Sequence, residues 1–162
     1  MIRLIPYILY LMLLALHQVV LLEATRIGAA WIDLAGLMVI SVAIYKSEDI
    51  AIWFGFWAGL VAFAGNPALI GWHALALAMV ALTACRLRER LNLASMWSKL
   101  YLMAGGVIVH AILSILIMRP ERFLDEIWSV VPLVALYTTL VAWAFFLFKE
   151  GHLTVRRIKS IF

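Results

Sequence analysis

Charge is what this chain has least of. Only 14% of its 162 residues are Asp, Glu, Lys or Arg, while 67% are hydrophobic and the mean hydropathy is +1.06. A soluble domain carries about 25% charged residues, so a fully water-facing surface is excluded. Cysteine occurs once, at Cys85, which rules out an intrachain disulfide and a Cys-based zinc site. There is no Gly-rich phosphate loop, no HxxxH or HExxH spacing and no serine in a nucleophile motif. No two carboxylates are spaced as general acid and base. The expectation is a non-enzymatic protein without cofactor, metal or nucleic-acid partner. Apolar–polar alternation is missing too, which excludes a transmembrane barrel.

What is present is a series of apolar runs, near residues 4–22, 31–45, 50–65, 70–85, 97–118 and 127–148. In lipid every backbone amide needs a partner inside the protein, and such runs meet that demand locally as helices. The expected fold is an all-α integral membrane protein, one compact bundle of about six transmembrane helices spanning residues 1–162. Runs two to four are short for a bilayer, which takes about 20 residues. Snorkelling by Lys46 and Arg86 or local thinning accommodates them; a re-entrant hairpin over 50–85 is the alternative. Arg3 before an apolar run resembles a signal peptide, but no cleavage site with a soluble region follows, so run one is expected to remain a helix.

Basic residues orient the bundle. With the N-terminus cytoplasmic, the inner segments hold ten Lys and Arg and the outer ones three, Arg26, Arg119 and Arg122. The positive-inside rule then places both termini in the cytoplasm. Leu87, Leu91, Ala94 and Trp97 recur at helical spacing beside Arg86, Arg88 and Arg90. That pattern fits an amphipathic surface helix or an extension of the fourth helix. The tail 149–162 carries Arg156, Arg157 and Lys159, as an orientation signal or a contact for anionic lipid.

Small residues mark close packing. Ala51, Gly55 and Gly59 form a small-xxx-small ladder, which serves contact within the bundle or with another chain. Gly105 and Gly106 offer a second such point. Trp31, Trp53, Trp72, Trp97 and Trp128 lie near run ends, as interfacial anchors do, whereas Trp57 and Trp143 lie deeper. The intramembrane polar candidates are His17, Gln18 and His110, with His73 opening the fourth run. Such groups are functional candidates by default. A metal or proton site is one use; neutral histidines bonded to a serine, a carbonyl or each other is the other. His17 with Gln18 would tie helix one to its neighbours. Carboxylates fall near run ends or in loops, and Asp125 and Glu126 suit the N-terminal dipole of helix six.

Three segments carry a resemblance: Asp33-x2-Gly36-Leu37, Gly55-Phe56-x2-Gly59-Leu60, and Leu69-Ile70-Gly71-Trp72-His73-Ala74-Leu75. In this order they resemble the rod shape-determining protein MreD family, over about half the chain. Where that family often has an Asp near the turn, this chain has Phe63. The resemblance marks Gly55, Gly59, Gly71 and His73 as architectural positions. It implies a fold like the S-component of energy-coupling-factor importers and a place in a bacterial inner membrane. The implied function is a scaffold of the cell-elongation complex that binds MreC and works alongside the MreB filament and the RodA–penicillin-binding-protein synthase. An importer's substrate-binding subunit is the runner-up, with His17, Gln18, Trp72 and His110 around its pocket.

Overall fold

A computed structural model describes residues 4–28 and 30–149, so Arg156, Arg157 and Lys159 lie outside the described residues. Among the described residues seven α-helices follow one another: α1 (Ile5–Leu16), α2 (Leu34–Tyr45), α3 (Glu48–Ala62), α4 (Ile70–Arg88), α5 (Met96–Met118), α6 (Phe123–Ser129) and α7 (Val131–Lys149). Among the described residues no strand forms beyond an isolated bridge between Ile27 and Ala30. α4, α5 and α7 are long and apolar enough to cross a membrane.

Helix boundaries follow local chemistry. α3 opens on Glu48 and Asp49, whose charges complement its N-terminal dipole, and α4 closes on Arg86 and Arg88, which complement its C-terminus. Pro120 ends α5, because the residue before a proline is pushed out of the helical region; Arg119 has φ −145° and ψ 59°.

Several boundaries differ from the sequence reading. Run one is α-helical only to Leu16, then continues as a π-turn over His17–Leu21. Run six divides into α6 and α7 at Val130, just before Pro132, which has no N–H for the ladder. The stretch after Arg88 turns over residues 89–95 and forms no surface helix; α4 gains less than one turn beyond Cys85. The loss of the amphipathic helix has a simple cause. Leu93 and Met96 pack onto the core, so the chain folds back there.

α2 is the central element. Nine of its residues are buried, from Ala35 to Ile40 and from Val42 to Ile44. It packs against α3, α4 and α5. Its 12 residues span about 18 Å at 1.5 Å each, and a helix shielded by its neighbours need not match the full hydrocarbon thickness. α3 and α4 form the closest pair. A Cβ on Gly55 would stand 2.7 Å from the Leu77 carbonyl oxygen, and one on Gly59 would stand 2.7 Å from the Ala74 nitrogen. The two backbones meet because these side chains are absent. Gly106 approaches the Ile40 side chain of α2 in the same way, whereas Gly105 and Gly71 have open space. α1 lies at the edge, with Leu14 as its one buried position and its Tyr7 and Tyr10 rings 6.1 and 6.3 Å from Phe54.

Candidate functional site

Asp33 sits at the N-cap of α2, only 8% exposed. Its Oδ1 accepts the Gly36 N–H at 2.9 Å, and its own N–H donates to the Thr138 hydroxyl of α7 at 2.9 Å. A Cβ at position 36 would collide with the Asp33 carboxyl group, so glycine there is what lets the side chain fold back over the helix start. The second oxygen, Oδ2, lies 2.6 Å from Nδ1 of His110 on α5. His110 is 4% exposed, and its Nε2 lies 3.3 Å from the Ser114 hydroxyl one turn further along α5. A proton on Nδ1, donated to the carboxylate, leaves Nε2 to accept from Ser114. Asp33 thus ties three helices together at one end of the bundle, α2 and α5 through its carboxylate and α7 through its backbone N–H.

Beside this chain of bonds is a cavity of about 410 Å³. Gln18, Trp31, Phe63, Asn66, Ile115 and Met118 are among the residues lining it. At its rim Arg119 pairs with Glu126 at 3.0 Å, and Arg26 lies 3.8 Å from Glu23. The order carboxylate–imidazole–hydroxyl matches the parts of a nucleophilic relay. However, Ser114 lies inside α5, where backbone N–H groups serve the helix and cannot form an oxyanion site. The geometry suits binding better than acyl transfer.

The other predicted positions are distributed as follows. His17 is buried and its Nε2 lies 3.4 Å from the Thr25 hydroxyl, eight residues on. That bond closes a local loop, which corrects the expected tie to another helix; the π-turn swings the ring toward its own connection. Gln18 reaches the cavity wall. His73 is completely buried and stacks on Phe63, with centroids 3.4 Å apart and planes 5° from parallel. Neither of its ring nitrogens has a hydrogen-bond partner, contrary to the expected polar bond. His73 stands in the opening turn of α4. No group of three or more His, Cys, Asp or Glu able to hold a metal occurs among the described residues. Trp72 lies outside the cavity lining, on the exposed face of α4.

Ala51, Gly55 and Gly59 are all buried, the glycines against α4, so this ladder is an internal seam and offers no open face to a partner. Gly71 is exposed and in contact with nothing that a Cβ would meet, so it is not a packing point. At the opposite end of the bundle Arg88 donates to the carbonyls of Ala43 and Lys46, capping α2. It is therefore not a free membrane-surface group; the carbonyls left over at the end of α2 draw it inward. Arg86 pairs with Glu48 at 3.0 Å while its side chain stays largely exposed, and Arg90 is exposed in the turn. Lys149 lies 3.4 Å from the centre of the Tyr45 ring.

The sequence reading left Asp33, Ser114 and Thr138 out of the candidate site. Two signals for them were present: Asp33-x2-Gly36 is a capping pattern, and His110-x3-Ser114 puts both side chains on one helix face. Thr138, 105 residues from Asp33, carries no local signal. The described residues form an all-helical fold, with three helices long and apolar enough to cross a membrane and a largely apolar cavity at one end that has polar groups in its wall. In comparisons with known proteins, no family model, no curated protein and no solved structure matches the chain.

Proposed function

We propose that this chain is a non-enzymatic membrane scaffold of bacterial cell elongation, similar to MreD, which crosses the inner membrane six times and holds the single membrane helix of MreC. In this reading α1 to α5 and α7 are the crossings, and the short α2 is tolerated because its neighbours shield it from lipid. The observation that carries it is where the family-like residues fall. Asp33 and Gly36 make the buried cap, Gly55 and Gly59 meet the backbone of α4, and His73 stacks on Phe63. Several of the residues that carry the resemblance thus lie at joints of the fold, whereas Gly71 does not.

With the glycine ladder occupied, the partner helix docks on a lipid-facing surface. α1 is the best placed, since Ile8 and Met12 are exposed on an edge helix. The partner's extracytoplasmic part would then stand near the RodA–penicillin-binding-protein synthase, and the basic end would face the MreB filament and anionic lipid. Co-purification with MreC of the same cell tests this. Loss of the pair on changing Ile8 and Met12 to tryptophan supports docking on α1; a chain that never retains MreC from gently solubilised membranes rejects the scaffold. The cavity favours a second reading, the substrate-binding subunit of an importer. A nutrient that rescues cells depleted of the chain would support that function instead.

A further inference from the structure

We propose that the cavity beside Asp33 is a binding site for a monocationic amine with a compact apolar body, a property that holds for a scaffold and an importer alike. Charge comes first. Three carboxylates line the space, Glu23, Asp33 and Glu126, against two guanidinium groups, Arg26 and Arg119. Among these carboxylates and guanidinium groups one negative charge is in excess. Each rim guanidinium already has a carboxylate neighbour, at 3.0 Å for Arg119 and 3.8 Å for Arg26. The deepest charge is the Asp33 carboxylate, 8% exposed. An anion would therefore meet paired cations and a buried negative group, whereas a single positive charge balances the site.

Hydrogen bonding selects the same class. Once His110 donates to Asp33 and Ser114 donates to His110, the Ser114 oxygen still has lone pairs to offer. Gln18 and Asn66, whose side-chain amides each carry an acceptor oxygen, line the same space. An ammonium supplies three N–H donors and needs acceptors of this kind. Trp31 and Phe63 line the cavity as well, and aromatic faces attract a desolvated ammonium. About 410 Å³ is also the size of a small-molecule pocket. A clamp serving only to join helices would be packed solid on every side; here the polar chain forms one wall of an open space.

Two sources share this chemistry, the headgroup of an aminophospholipid and a free amine. The test uses the full chain in detergent, with 2-phenylethylamine as probe and phenylacetate as the anion control. The amine is expected to raise the thermal midpoint saturably, and phenylacetate to leave it in place. Ser114→Ala keeps the Asp33–His110 pair and is expected to weaken the amine response about tenfold, the loss of one hydrogen bond. Asp33→Asn should abolish it; if that variant does not fold, Ser114→Ala decides. Native mass spectrometry separates the sources. Retained phosphatidylethanolamine in preference to phosphatidylglycerol identifies the headgroup, and an amine response without retained lipid identifies a free amine. No amine response, an equal response to phenylacetate, or full affinity in Ser114→Ala overturns the proposal. None of these outcomes bears on whether MreC co-purifies.

Discussion

Asp33→Ala should be among the most damaging single changes in the chain. It leaves His110 buried without its 2.6 Å partner and the first turn of α2 without a cap. An unpaired buried N–H costs about 1–3 kcal/mol, and the lost cap about 0.5–2 kcal/mol more. Thr138→Val preserves shape but leaves the Asp33 N–H unpaired, which costs about 1–3 kcal/mol. Unfolding titrations in mixed micelles measure both. Wild-type stability in Asp33→Ala would mean that the pair holds nothing together. This joint was half legible in the sequence. A capping aspartate three residues before a glycine can be read locally, and so can a histidine four residues before a serine. That the two meet depends on the packing of α2 against α5, and nothing in either segment encodes the other's position.

The α3–α4 seam turns a spacing pattern into a contact. Gly59→Ala places a methyl group against the Ala74 backbone, which cannot give way as a flexible side chain would. The expected loss is about 1–3 kcal/mol. Gly71→Ala meets nothing, so it should leave stability unchanged or raise it by up to about 1 kcal/mol through helix propensity. The same unfolding assay compares the two, and equal losses would show that local space is not the cause. Sequence spacing identified the ladder but could not say whether it faced inward or outward. Small residues suit either use, and only the placement of α4 decides. The break before Pro132 was legible in principle, since a proline near the start of an apolar run marks a helix beginning there.

The whole chain has two unlike ends. One gathers Lys46, Arg86, Arg88 and Arg90 around the end of α2, and the other holds the cavity. In the proposed topology the basic end is cytoplasmic. Cys85 is fully buried, so it should remain silent toward a membrane-impermeant maleimide. Glu121→Cys should then label in intact cells, and Asn92→Cys only after the membrane is opened. The reverse pattern would invert the molecule and turn the cavity inward.

What the sequence determined by itself is the solvent and the element type. Scarce charge and long apolar runs require structure that satisfies its backbone locally, and in lipid that means helices; boundaries such as Pro120 and Glu48 are likewise matters of neighbouring residues. Only the tertiary structure decided which small-residue face was covered, which arginine was spent on α2, and that Asp33 lies beside His110 and an open cavity. These outcomes depend on pairing segments as much as 77 residues apart. Apolar helices of similar composition can pair in many ways, and the choice rests on shape and on a few buried polar bonds.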